Sequence, residues 1–325
     1  MIKFTLRRLW QGFLILLGVN LLTFALFFGV NTPDDMARLN LGGKRVTPAA
    51  IEQWKVARGY DKPLWVNTAA TGTAQLTDTL FYQKSIGLFA LKFGASDTGR
   101  DIAYDISERA WPSLALAVPS FILGMVSSIV VALGLLLLRY TRLDAWGVVA
   151  LVFIMSISSM FFIIGGQWLF SKTLAVLPVS GYSGGWDGWR FLLMPLLIGV
   201  VSGLGAGARM DRTFFMEELN KDYVRTAQAK GVSDWRVLSR HVLRNALIPI
   251  LTGAVAVIPL LFTGSLVMES FFGIPGLGNY VIEAINAQDF AIVRVMVFIG
   301  AALTVLGYAL TDIAYAIADP RVRLE

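Results

Sequence analysis

No cysteine occurs in the 325 residues, so disulfide pairing and thiolate metal ligation are both excluded. The only histidine, His241, cannot assemble a histidine cluster and reads as a loop or helix-surface contact. Charge is scarce: 15% of residues are charged against 56% hydrophobic, with a mean hydropathy of +0.64, well outside the range of a soluble domain. A phosphate loop is also missing. Gly42, Gly43 and Lys44 come nearest, but Arg45 follows where a hydroxyl is needed, so the chain should not hydrolyse ATP itself. No paired acid, serine dyad or metal cluster falls within the apolar segments, which leaves no catalytic, cofactor-binding or metal-binding residue and argues against an intramembrane enzyme.

What is present is a series of apolar runs. Leu9 to Val30, Leu114 to Leu138, Ala145 to Phe170, Phe191 to Ala208, Ala246 to Met268 and Ile292 to Ile317 each approach the roughly 20 residues a spanning helix needs. The expectation is an all-α integral membrane protein with six transmembrane helices. Lys3, Arg7 and Arg8 precede the first run, and no small-residue cleavage site follows it, so it reads as a retained helix. Few ionisable residues lie in the middle of the runs, and Glu269 and Asp312 read as interfacial residues near helix ends.

The formal net charge of +6 is distributed as topology requires, beside apolar runs, which makes nucleic acid a poor partner. Arg139 and Arg142, then Arg209 to Arg244, then Arg321 and Arg323 alternate with base-poor connections. Ser270 to Ala291 contains no Lys or Arg at all. Both termini are therefore expected in the cytoplasm. The segment from Asn31 to Trp111 is basic yet longer than about 60 residues, a length that translocates largely regardless of charge. Three regions follow: 1–30 with the first helix, 31–111 as a small extracytoplasmic insertion between helices 1 and 2, and 112–325 as the core with five helices. Within the insertion, Ala49 to Arg58 should form a short helix opened near Thr47. Gly199, Gly203 and Gly207 line one helix face, which suits ordinary intrachain packing, a subunit interface being the alternative.

The segment from Asp222 to Ile250 has the character of a docking element on the cytoplasmic side, within a loop of about 209–245. It joins an amphipathic turn with Tyr223, Ala227 and Lys230 to a breaker at Gly231, a new helix start at Ser233, and a basic face of Arg236, Arg240 and Arg244. The alternative is a solvated amphipathic loop that grips nothing.

DYVRTAQAKG at Asp222 to Gly231 and RHVLRNALIP at Arg240 to Pro249 resemble the cytoplasmic signature loop of binding-protein-dependent ABC importer permeases, in the dipeptide/oligopeptide branch. ESFFGIPGLGNYVIEAINAQDF at Glu269 to Phe290 is similar to that branch's outer loop, DIAYAIADPRVR at Asp312 to Arg323 to its C-terminal signature, and LPVSGY at Leu177 to Tyr182 to a further motif. The N-terminal RRL at Arg7 to Leu9, with GYDKPL at Gly59 to Leu64 and FGAS at Phe93 to Ser96, resembles the first of the two paired permeases. Gln228 departs from the branch, which usually has a basic residue there. Ser158 and Ser159 stand where a proline is common, putting a kink in doubt, and Val66 to Lys92 looks expanded.

The resemblance implies a type I importer permease fold whose loop forms a coupling helix seated in an ATPase cleft. On this chain the coupling residues would be Asp222, Tyr223, Arg225, Thr226, Ala227, Ala229, Lys230 and Gly231. Ala227 and Ala229 would keep the helix slim enough for a groove, while Arg225 and Lys230 would meet acidic residues on the partner. It further implies two ABC ATPase subunits that bind the ATP and Mg, a second homologous permease subunit with a homodimer as the alternative, an extracytoplasmic solute-binding protein and a bacterial or archaeal plasma membrane. Peptides are the implied cargo. Nickel complexes, glutathione, oligosaccharides and peptide-like antibiotics are alternatives on the same machinery, and a stand-alone channel or ion-coupled carrier is the alternative from another class. Nothing in the sequence selects a substrate-contact residue.

Overall fold

The structure, a computed structural model, describes residues 2–42 and 46–318. Gly43, Lys44 and Arg45, and the end of the C-terminal signature with Arg321 and Arg323, lie outside the described residues. The described residues are helical apart from connections and one isolated bridge between Ala95 and Asp101. Five helices are long and apolar enough to cross a membrane: Leu6–Val30, Ile102–Leu137, Trp189–Leu219, Asp234–Thr263 and Phe290–Ala314. A bent pair, Arg142–Ser156 and Ser159–Thr173, supplies the third of six spans.

That third span corrects the doubt over a kink. The two halves meet at 91° without a proline. Ile157 and Ser158 take extended backbone (ψ of 129° and 142°), which interrupts the helical hydrogen-bond ladder, and Phe161 N–H then restarts it on the Ser158 carbonyl at 3.0 Å. The fourth span reinforces the first half. A Cβ on Gly205 would stand 2.6 Å from the Leu151 carbonyl oxygen and 2.9 Å from the Met155 amide nitrogen, so only glycine permits this backbone approach. Gly199 and Gly207 pack on Ser120 and Ser128 of the second span, as intrachain packing requires, while Gly203 faces open space.

The fifth span is shifted relative to its apolar run. It begins at Asp234, so Arg236, Arg240 and Arg244 ride on the helix instead of a preceding loop, and it ends at Thr263 instead of Met268. Gly264, at φ +71° and ψ −178°, ends it in a conformation that L side chains rarely adopt. Leu266 to Met268 belong to the next short helix, Leu266–Phe272, opened by Ser265, whose hydroxyl accepts from the Met268 amide at 3.3 Å.

The fold divides into two compact units, residues 1–111 with 280–309, and residues 112–279 with 310–325. In the first, Thr32 and Asp35 form a reciprocal capping box at the start of Pro33–Asn40. The helix expected from Ala49 runs Pro48–Arg58, with Thr47 accepting from the Ala50 amide and Gly59 closing it at φ +67°. These helices bury Met36, Ile51 and Trp54 against Phe24 and Phe28 of the first span, with Trp54 stacked on Tyr60 at 5.5 Å. In the second unit, a buried cluster joins the second, fourth and fifth spans through Leu133, Leu136, Phe215, Val237, Val242 and Ile250.

Candidate docking site

The candidate docking element is a two-turn helix, Asp222–Ala229, that follows the fourth span after an extended Lys221. Asp222 places a negative charge at the helix N-terminus, where the peptide dipoles favour it. One face is internal: Val224 is fully buried and Ala227 nearly so, both inside the cluster that joins the second, fourth and fifth spans. Half-buried Tyr223 donates its hydroxyl hydrogen bond to Glu218, near the end of the fourth span. Burial pushes the Tyr223 hydroxyl pKa up, with Glu218 adding to the rise against an opposing hydrogen bond with Asn245.

The other face is open. Asp222, Arg225, Thr226, Ala229 and Lys230 are exposed, and so is Gln228. The approach of Arg225 to Asp222, 3.9 Å between largely solvated groups, constrains neither side chain appreciably. The exposed set therefore carries two cations beside a small alanine. Ala227 corrects its sequence assignment: it fills the protein's own interior, and Ala229 alone of the two presents a slim surface outward.

Gly231 closes the helix at φ +75°. The Gly231 amide donates to the Gln228 carbonyl at 2.9 Å and the Val232 amide to the Ala227 carbonyl at 3.3 Å, the paired bonds of a Schellman cap. Val232 then packs on the same buried cluster, fixing the direction in which the chain leaves. Ser233 occupies the N-cap position of the next helix with extended backbone, but its side chain makes no capping bond. Its carbonyl instead accepts from Val237 at 3.0 Å. Arg236, Arg240 and Arg244 are exposed, and His241 is half-buried in a π-helical turn, Val237–Val242, of the fifth span.

Two polar links between spans lie behind this element. Arg212 of the fourth span grips Asp144 of the third with both terminal nitrogens, the second bond at 2.9 Å, and buried Asp211 accepts from Ser128 of the second at 2.5 Å. Both fell beyond the apolar run ending at Ala208, because the helix continues to Leu219. The sequence reading also passed over Val224. Its spacing of three from Ala227 places both on one helix face, which was the available signal.

Elsewhere in the second unit, Glu269 is fully buried, not interfacial. Its Oε1 accepts from Ser113 Oγ at 2.8 Å and from the Ser265 amide at 3.0 Å, and its Oε2 from the Asn279 amide at 3.0 Å. Burial pushes its carboxyl pKa up, opposed by these donors and by the Gly278 amide. Gly276 serves close approach here: a Cβ would meet Glu269 Oε2 at 2.4 Å. Asp312 is half-buried on the last helix.

The family model described as the binding-protein-dependent transport system inner membrane component matches residues 113–324, which includes the candidate docking helix and the Glu269 loop. The chain belongs to that family. A second model, for the N-terminal part of such membrane components, matches residues 1–85. The family member is 35% identical to a Brucella abortus chain named, provisionally, as a peptide transport system permease protein, across 98% of each. It is 31% identical to the dipeptide transport system permease protein of Lactococcus lactis subsp. cremoris across 100% of both chains. It is also 31% identical to the di/tripeptide transport system permease protein of Pseudomonas aeruginosa across 99% of each. This permease is thus a multi-pass inner-membrane transport component, and its helical architecture is the one expected of the family.

Proposed function

We propose that the chain is the permease subunit of an ATP-driven importer that moves peptides or peptide-like solutes delivered by an extracytoplasmic binding protein. The observation that carries this is the two-sidedness of Asp222–Ala229: a helix anchored inward by Val224 and Ala227 to three spans, and presenting Asp222, Arg225, Thr226, Ala229 and Lys230 outward. A displacement applied to that face would pass into the second, fourth and fifth spans through close-packed side chains, which transmit it as a rigid body. Two ATPase subunits would supply the displacement as they close on ATP and Mg, with acidic groups receiving Arg225 and Lys230. A second homologous permease would present the second docking helix. The named peptide permeases, alike from end to end, support the cargo class. Both termini would lie in the cytoplasm, with 31–111 and the 270–291 connection outside to receive the binding protein.

Co-purification tests the reading. The tagged chain, expressed with its partners in mild detergent, should bring down ATPases and a second permease. Arg225→Glu with Lys230→Glu should lose the ATPases while the second permease stays. These exposed substitutions are preferred to Gly231→Arg, whose φ of +75° would confound docking with folding. A wild-type chain that purifies alone and transports without ATP would overturn the proposal.

A further inference from the structure

We infer that the unit of residues 1–111 and 280–309 holds a binding site for an anionic oxygen group, a carboxylate or a phosphate, between Lys84, Lys92 and Arg294. The inference goes beyond the importer reading and does not depend on it. A cavity of about 260 Å3 is lined by these three cations, with Tyr60, Gln83, Phe93 and smaller residues completing the wall, and no described acid lines it.

Two of the cations are built in place. Arg294 is only 6% exposed, with its guanidinium held 5.3 Å from the Phe28 ring and 5.6 Å from the Phe24 ring. Its Nη2 donates to the Lys84 carbonyl at 2.8 Å and to Ser85 Oγ at 3.1 Å, which leaves the rest of the donor fork for a ligand. Lys84 sits in a single π-helical turn, Tyr82–Ile86, a local widening that recurs at functional sites. Its ammonium lies 4.7 Å from the Tyr60 ring centre and gives one bond, 2.8 Å long, to the Arg58 carbonyl. An ammonium has two further donors. Lys92 stands exposed at the rim.

Two acids lie nearby. Asp97 Oδ1 accepts from the Tyr60 hydroxyl at 3.1 Å, while its buried Oδ2 has no hydrogen-bond partner among the described residues, and Asp97 borders a neighbouring cavity of about 300 Å3 that Lys84 and Tyr60 also line. Asp289 accepts from the Asp97 amide at 3.0 Å and the Ile292 amide at 3.2 Å. Burial, then the charge of Arg294, pushes the Lys84 ammonium pKa down, with Asp97 only partly opposing. An anion placed among the three cations would relieve that cost and receive charge-assisted hydrogen bonds. Its source is a solute carboxylate, free phosphate, or the phosphate of an anionic lipid, since Arg294 lies four residues into the Phe290–Ala314 span.

The test uses the full chain in neutral detergent and in nanodiscs, with four probes: inorganic phosphate, dialanine, dialanine amide and phosphatidylglycerol. Saturable thermal stabilisation by phosphate, or by dialanine but not its amide, is the expected result for a soluble anion. Phosphatidylglycerol retained in native mass spectrometry is the expected result for a lipid. In each case the exposed-rim variants Lys92→Met and Lys92→Glu should weaken binding by about tenfold or more, and Lys84→Met further, matching the loss of one charge-assisted contact. Because the rim variants leave the interior intact, loss of binding in them does not reduce to misfolding. Failure of all probes to bind, or affinities unchanged in both Lys92 variants, would overturn the site whatever the outcome for the ATPases.

Discussion

Ser113 stands between two buried partners 156 and 164 residues away in sequence: it donates to Glu269 Oε1 at 2.8 Å and accepts from the Leu277 amide at 2.7 Å. One hydroxyl thereby ties the second span to both limbs of the loop that follows the fifth. Ser113→Ala should remove one of the two donors to Glu269 Oε1, which keeps the Ser265 amide, and strand the buried Leu277 amide, at about 1–3 kcal/mol for that unsatisfied group. Thermal unfolding in detergent should record the loss, and hydrogen exchange should rise across 264–279. Unchanged exchange there would refute the tie.

The same carboxylate sets a pH dependence. Because burial raises the Glu269 pKa above its ordinary 4.5, the folded state holds the proton more tightly than the unfolded state. Its contribution is therefore most favourable below 4.5 and is lost as pH rises through the folded value. Glu269→Gln, which cannot titrate, should flatten that part of the stability curve. Melting curves of the two proteins from pH 4 upward that stay parallel would contradict the burial argument.

Two glycines on one span should behave oppositely. Gly205→Ala forces a methyl against the Leu151 and Met155 backbone, at a cost of about 1–3 kcal/mol or more, whereas Gly203→Ala meets nothing within 4 Å and should be neutral or slightly stabilising. Paired denaturation measurements decide it, and equal effects would argue against the close approach at the third-span bend.

The two alanines of the candidate docking helix offer a further contrast. Ala227→Leu overfills the buried cluster and should lower stability by about 1–3 kcal/mol. Ala229→Leu, exposed, should leave the melting temperature within about 1 °C while weakening ATPase capture, the change in an exposed side chain being worth little to folding. Should Ala229→Leu destabilise as much as Ala227→Leu, the assignment of inner and outer faces fails.

Much of this protein is written locally. Apolar content fixed the membrane class, because a run of about 20 apolar residues has no other stable solvent. The Thr47 start, the Gly59 stop and the Gly231 reversal were readable because caps and left-handed turns depend on one or two residues. The short helix at Asp222–Ala229 was legible for the same reason. Which of its faces points outward was not. Ala227 and Ala229 are the same residue type two positions apart, and only the cluster supplied by Leu136, Phe215 and Val242 makes one of them interior. Glu269 looked interfacial because its donors, Ser113 above all, come from elsewhere in the chain. The third-span bend carries no proline and rests on a glycine from another span, and the cationic cavity gathers Lys84 and Arg294 from 210 residues apart. Sequence thus determined the kind of environment each segment seeks, through hydrophobicity and backbone preference. Tertiary structure alone decided which charges are buried, which faces are free and where the third span bends, since those depend on partners that distant parts of the chain bring into contact.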